Sequence, residues 1–167
     1  CGLATYTSDT RAALIERFPC LRVSLWAMND RPGGYPYPPE VTGTIDQHDP
    51  ASYLAAARAI EASGAQALWL QHEYGIYGGA AGELILTLLD RVDLPLIVTL
   101  HTVLETPSAD ERRVLEALVR RASKLIVMAE HGREVLKRVY GANPRLIATI
   151  PHGVPDRPLV DPEAVKP

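Results

Sequence analysis

The chain has 167 residues, of which 47% are hydrophobic and 22% charged, a composition typical of one soluble globular domain with a single sizeable core. Its formal net charge of -3 has no compensating cluster of lysine and arginine, which argues against binding to nucleic acid or to anionic membranes. The two cysteines are too few for a disulfide framework and favour a reduced, cytoplasmic setting, and no apolar run reaches the roughly 20 residues of a transmembrane helix.

The amino-terminal part of the sequence predicts one helix and two strands. Thr7–Asp9 can cap a helix over Ser8–Arg17, whose apolar residues form one face. Strands are predicted at Leu21–Met28 and near Val41–Ile45. Between them lies the loop Asn29–Pro39, which is rich in proline, glycine and tyrosine. This loop either covers a binding site or is a surface excursion, and the sequence favours neither alternative.

From Pro50 onward, helix and strand patterns alternate with short gaps, as in βα units laid into a parallel sheet. Two strand segments are nearly continuous apolar runs, as expected when helices cover both faces of the sheet. We therefore predict an α/β fold with a Rossmann-like, doubly wound, mostly parallel sheet. The predicted elements are a helix from Pro50 to Gly64, a strand over Ala67–Gln71, a helix over Ala80–Arg91, a strand over Leu94–Leu100, a helix over Ala109–Ala122, a strand over Lys124–Met128, a helix over Gly132–Tyr140 and a strand over Leu146–Ile150.

The start of the chain lacks the strand with which a doubly wound sheet begins. Such a sheet opens with a strand, a glycine turn and a helix, whereas Cys1–Thr7 has the composition of the turn alone. We therefore expect the first strand to be missing and Gly2 to lie in a turn. The domain prediction is a Rossmann-like domain over residues 1–153, followed by a proline-rich linker over residues 154–167.

Four consecutive predicted strands are each followed by a histidine, namely His72, His101, His131 and His152. Parallel strands point the same way, so these residues are expected along the carboxyl edge of the sheet, where open α/β folds bind ligands. For His131, a place at the start of a helix is the favoured interpretation. His152 precedes the proline-rich tail, so we expect it at a domain junction.

Two of these histidines are the main candidates for a binding site. His72 opens a loop of polar, aromatic and glycine residues, which favours ligand binding over a tight loop that only caps a helix. His101 and Thr102 directly follow a strand, so their side chains are expected to be rigidly supported; a structural histidine at a strand end is the alternative. A metal site formed by His72, Glu73 and His101 lacks any familiar ligand spacing, so we predict no metal and no cofactor.

The order and spacing of four segments resemble the amino-terminal domain of family 4 glycosyltransferases. The resemblance spans nearly the whole chain. It implies a GT-B enzyme in which two Rossmann-like domains face each other across a cleft, with the acceptor held mainly by the first domain and the sugar nucleotide mainly by the second. The segments are CGLATYT at Cys1–Thr7, LQHEYG at Leu70–Gly75, VTLHTV at Val98–Val103 and IPHGV at Ile150–Val154.

The resemblance also implies roles for particular residues. Gly2 belongs to a turn that approaches the donor diphosphate, although the family usually has a glycine pair where this chain has Cys1–Gly2. His101 is the implied catalytic residue and lies beside the transferred sugar. The implied substrate-binding residues are His72, Glu73, Tyr74 and Thr102.

The implied reaction moves a sugar from a nucleotide-sugar donor to an acceptor with retention of anomeric configuration. No carboxylate has a clear claim to be a nucleophile, so we expect a front-face substitution stabilised by protein dipoles. The implied partners are the donor, an acceptor of unknown identity and a second domain absent from this chain, without which the piece is expected to be inactive. The alternatives are a sugar-nucleotide epimerase of the same two-domain plan and a non-catalytic module that binds a carbohydrate or a partner.

Overall fold

The computed structural model describes residues 2–153, so Cys1 and the predicted linker lie outside the described residues. Helices and strands alternate along the chain. Two short 3-10 turns, Ala80–Gly82 and Pro144–Leu146, connect regular elements. The elements are α1 (Gly2–Arg17), β1 (Leu25–Asn29), β2 (Val41–Asp46), α2 (Pro50–Ala62), β3 (Leu68–His72), α3 (Leu84–Leu89), β4 (Leu96–Leu100), α4 (Ala109–Arg121), β5 (Lys124–Val127), α5 (Glu130–Tyr140) and β6 (Ile147–Thr149).

The strands form two parallel sheets flanked by helices. One sheet pairs β1 with β2, and the other has the order β3-β4-β5-β6. The predicted α/β, Rossmann-like fold with a parallel sheet is therefore confirmed. Within residues 2–153, no strand pairs the two sheets with each other. The absence of a first strand stays a prediction.

The core is built around β4, which has a neighbouring strand on either side. Leu96, Val98 and Leu100 are each at most 2% exposed, because helices cover both faces of a parallel sheet. Fully buried leucines of α4 and β5, Leu115 and Leu125 among them, extend the core. By contrast, α1 has no buried residue, and β1 is half-buried throughout.

A buried tyrosine links the end of β2 to the loop after β3. Tyr53 of α2 is fully buried, and its hydroxyl donates to the carbonyl of Gln47 at 2.9 Å while accepting from the amide of Gly78 at 3.0 Å. The side chain of Gln47 donates to the carbonyl of Gly75 at 2.7 Å. These bonds join the ends of β2 and β3 because Gly78 has no side chain to obstruct the approach of Gln47.

Local capping groups fix three helix ends in the later part of the chain. Asp49 accepts from the amide of Ala51 at the start of α2. Ser108 and Glu111 form a capping box at the start of α4. Gly141 ends α5 in the left-handed conformation, with φ of 62°.

The prediction that a turn precedes the first helix was wrong. Gly2 is the first helical residue, and the helix already includes the segment that was expected to form the turn and cap. The hydroxyl of Thr7 donates to the carbonyl of Leu3 at 2.8 Å, inside the helix. Threonine in a helix often bonds back to the carbonyl four residues earlier, so Thr7 is an interior residue of the helix and does not cap it.

Three other predicted elements were longer than the observed ones. The first strand begins at Leu25 and the strand before His101 begins at Leu96, after Pro95, which has no N–H for the sheet ladder. The predicted helix over Ala80–Arg91 is a 3-10 turn followed by α3. Ala81 and Gly82 have φ of 52° and 84°, and these left-handed conformations interrupt the helix.

Candidate functional site

The carboxyl edge of the larger sheet brings the ends of β3 and β4 together. β3 ends at His72, and the amide of His101 donates to the carbonyl of His72 at 3.0 Å, which extends the ladder one residue beyond β4. His101 is therefore held by the backbone of the most buried strand. The site is defined by the residues around this ladder end.

His101 is half-buried and contacts side chains from two other segments, β3 and α1. Its Nε2 lies 2.9 Å from Oε1 of Gln71 on β3. The ring of Tyr6 on α1 packs edge-on against the imidazole, with 5.0 Å between ring centroids, and lies 5.1 Å from the ring of His152. Burial lowers the pKa of His101, the carboxylate of Glu73 opposes this shift, and His152 adds to it. The imidazole is therefore mainly neutral near pH 7.

Glu73 and Thr102 form a second polar pair at this edge. The Thr102 hydroxyl donates to Oε2 of Glu73 at 2.7 Å, and the amide of Tyr74 donates to Oε1 at 2.8 Å. Both carboxylate oxygens are thus engaged, and the two loops that follow β3 and β4 are joined. The predicted grouping of Glu73, His101 and Thr102 is present in the structure.

His72 lies on the opposite, interior side of β3. It is fully buried, its ring contacts those of Tyr74 and Tyr77, and neither ring nitrogen has a partner among residues 2–153. Burial lowers the pKa of His72 to about 4 against the opposing charge of Glu73. In this conformation His72 presents no surface to a ligand, because side chains alternate along a strand and its neighbour Gln71 takes the side that faces His101.

Tyr74 is also directed into the protein. Its hydroxyl is buried without a hydrogen-bond partner within the described part of the chain. Burial raises the pKa of Tyr74, and the neighbouring Tyr140 adds to the shift. The ring packs against His72 with 5.1 Å between centroids, so Tyr74 supports the loop from below.

The remaining sequence candidates lie in different places. Gly2 is exposed in the first turn of α1, one turn before Tyr6. His131 lies in the first turn of α5, as favoured, and its Nε2 is 2.9 Å from the carboxylate of Glu105. His152 reaches the site through its contact with Tyr6.

The loop Asn29–Pro39 is ordered by its own polar side chains. The hydroxyl of Tyr37 donates to Oδ1 of Asn29 at 2.7 Å, and that of Tyr35 donates to Asp30 at 2.6 Å. The loop borders an open cleft at the carboxyl ends of β1 and β2. Because both hydroxyls bond within the loop and its immediate start, the surface-excursion alternative fits better than a loop whose tyrosines cover a binding site.

Sequence reasoning missed Gln71 and Tyr6 as site residues. A signal for Gln71 was present, since alternation along β3 puts it on the side opposite His72, and its register partner Thr99 lies two residues before His101. Nothing in the sequence pairs Tyr6 with His101, because 95 positions of chain separate them. Only the packing of α1 brings them together.

The described residues contain no group of three or more histidine, cysteine, aspartate or glutamate side chains arranged to hold a metal ion. Over the same residues, no helix combines the length and the apolar character that crossing a membrane would require.

A parallel α/β fold with polar side chains gathered at the carboxyl edge defines a Rossmann-like ligand-binding domain. The family model described as Glycosyltransferase Family 4 matches residues 2–157, and the chain therefore belongs to this family. A comparison with curated proteins gave no match. The family assignment supports a glycosyltransferase role in general and implies sugar donor and acceptor substrates.

Proposed function

We propose that the chain is the acceptor-side domain of a GT-B enzyme that transfers a sugar from a nucleotide-sugar donor with retention of configuration. The observation that carries the proposal is the position of His101, which is fixed by the ladder at the end of β4 and surrounded by Gln71, Tyr6 and Thr102. A half-buried, neutral imidazole at this edge is suited to hydrogen-bond a sugar hydroxyl. In this role His101 contacts the transferred sugar.

The state of Glu73 supports front-face substitution over a double displacement through this residue. Hydrogen bonds stabilise the charge of a carboxylate and so reduce its nucleophilicity, and each oxygen of Glu73 accepts one, from Thr102 and from the amide of Tyr74. Glu73 and Thr102 then act by shaping the acceptor side. His72 and Tyr74 pack beneath that loop and contribute indirectly.

Gly2 is proposed to lie against the donor diphosphate. It is exposed in the first turn of a 16-residue helix, and nothing lies within 4 Å of the position where a Cβ would be. Unpaired amides at a helix start favour an anion. The first turn lies about 6 Å along the helix axis from Tyr6, which contacts His101, so phosphate and sugar would occupy adjacent positions.

The rest of the donor site is proposed to come from a second domain, so the 167-residue chain alone should not turn over a nucleotide sugar. A cytoplasmic location fits this reaction, because nucleotide sugars and reduced thiols are expected together there. No metal or other cofactor is needed by this scheme, since the leaving diphosphate is bound by amides and by the second domain.

The test compares the longest protein encoded around this chain with its His101→Ala variant. The expected result is consumption of a nucleotide sugar only when acceptor is present, with retained configuration by NMR and a loss of about 100-fold in kcat in the variant. His131→Ala is the matched control, since His131 is an exposed histidine paired with Glu105 outside the site. Conversion of the nucleotide sugar without an acceptor would indicate an epimerase, and binding of sugar without turnover would indicate a non-catalytic module.

A further inference from the structure

The side of β3 and β4 that leads to His101 carries several polar groups. Trp69 donates its Nε1–H to the hydroxyl of Thr99 at 2.8 Å, and Thr99 is fully buried. Gln71 lies opposite Thr99 in register, and His101 is two residues beyond Thr99. Strand alternation therefore directs Trp69, Gln71, Thr99 and His101 to the same side of the sheet.

The contact between Gln71 and His101 restricts where the imidazole carries its hydrogen. Oε1 of a glutamine side chain accepts hydrogen bonds and cannot donate. With Oε1 of Gln71 as the amide atom 2.9 Å from Nε2 of His101, a hydrogen bond between them requires the hydrogen on Nε2. In a neutral imidazole, this leaves the lone pair on Nδ1.

Nδ1 of His101 remains available to a ligand. No residue within 2–153 forms a hydrogen bond with it, and the buried ring nitrogens without a partner both belong to His72. Tyr6 and His152 lie beside the ring and the carboxylate of Glu73 is nearby, but the oxygens of Glu73 are engaged by Thr102 and the amide of Tyr74. The imidazole thus has one nitrogen fixed from within the protein and one facing outward.

We propose that Gln71 is a positioning residue that holds His101 in the Nε2–H tautomer, so that Nδ1 accepts a hydrogen bond from a hydroxyl of the bound sugar. A neutral amide performs this task without adding a charge that would favour the imidazolium form. The identity of the ligand rests on the proposed function, whereas the tautomer follows from the contact itself. Under this inference His101 acts as a hydrogen-bond acceptor toward the substrate.

The test is direct observation of the tautomer in the 167-residue chain with 15N-labelled histidine. Long-range proton–nitrogen correlation distinguishes a protonated from an unprotonated ring nitrogen, and the His101→Gln variant assigns the signal. The expected wild-type result at neutral pH is a protonated Nε2 and an unprotonated Nδ1. A protonated Nδ1 on His101 would overturn the inference without any variant.

Two substitutions at Gln71 then test its role. Gln71→Met keeps the length of the side chain but removes the acceptor, so the tautomer preference of His101 should be lost. Gln71→Glu keeps an acceptor and adds a negative charge, so Nε2–H should be retained and the pKa of His101 should rise by about one unit or more. Gln66→Met, at an exposed position, is the matched control and should change neither property.

An unchanged tautomer ratio in folded Gln71→Met would count against Gln71 as the cause. If that variant does not fold, the wild-type spectrum and the Gln71→Glu titration still test whether Gln71 sets the tautomer of His101. The outcome is independent of catalysis. A failure to transfer sugar would remove the proposed function and leave the tautomer result in place, whereas an Nδ1–H tautomer would remove only this inference.

Discussion

The four-stranded sheet and the amino-terminal region differ sharply in how they are stabilised. The sheet β3–β6 with its helices buries residues such as Leu100, Leu115 and Leu125 almost completely. The amino-terminal region, formed by α1, β1 and β2, has a helix with no buried residue and a half-buried first strand. A helix is stabilised mainly by the surface it covers, so α1 depends much more on its few polar and aromatic contacts than α4 does.

The candidate site combines residues from both regions. His101, Glu73 and Thr102 come from the well-packed sheet, whereas Tyr6 and Gly2 come from α1. A rigid support for the imidazole is therefore joined to an element that is held by fewer contacts. We infer that ligand binding has most scope to adjust the position of α1.

The largest expected effect is on the core of the sheet. Leu125→Ala should lower the free energy of unfolding by about 2–5 kcal/mol because it opens a cavity in a fully buried site. Leu14→Ala in α1, where the side chain is only half-buried, should cost less than about 1 kcal/mol. Urea unfolding of the two variants measures the contrast, and equal losses would contradict it.

The second prediction concerns the buried His72. Its folded-state pKa of about 4 lies below the ordinary value of 6.5, so between these values the unfolded chain takes up a proton that the folded chain does not. The free energy of unfolding should therefore fall by about 3 kcal/mol as the pH drops through this window, and His72→Phe should remove this dependence.

Urea unfolding at several pH values checks this prediction, with Leu125→Ala as a control that lowers stability without altering the slope. A His72→Phe protein with the full wild-type slope would assign the pH dependence to other groups.

The third prediction tests the junction between the two sheets. Gly78→Ala would place a Cβ against the carbonyl oxygen of Gln47, and the resulting displacement should cost about 1–3 kcal/mol. Gly2→Ala is the control, since nothing surrounds that position, and it should be neutral or slightly stabilising. Thermal unfolding compares them. An unaffected Gly78→Ala protein would mean that the junction does not contribute to stability.

The smallest expected effect concerns helix caps. Ser108→Ala removes the hydroxyl that accepts from the amide of Glu111 and should cost about 1 kcal/mol. Ser8→Ala, an exposed position inside α1, should change stability by no more than about 0.5 kcal/mol. Circular dichroism during urea unfolding resolves a difference of this size, and a comparable loss in both variants would contradict the distinction between a capping and an interior serine.

Several helix ends in the later part of the fold follow from local signals. Pro50 after Asp49, the Ser108–Glu111 box and Gly141 each fix a helix end through one or two neighbouring backbone groups. The start of α1 could not be predicted in this way, because Thr7 bonds back into the helix where its composition indicated a cap. A serine or threonine hydroxyl can bond to the backbone in either arrangement.

The sequence by itself determined the alternation of strand and helix and the succession of histidines after the strands. Tertiary structure decided which of those histidines lie at the candidate site. His72 and His101 follow neighbouring strands, yet the first is buried on one side of the sheet and the second is half-buried with its ring held by Gln71. The physical reason is that adjacent residues of a strand face opposite sides of the sheet. Two residues whose positions at neighbouring strand ends differ by one therefore lie on opposite sides, one in the interior and the other at the site.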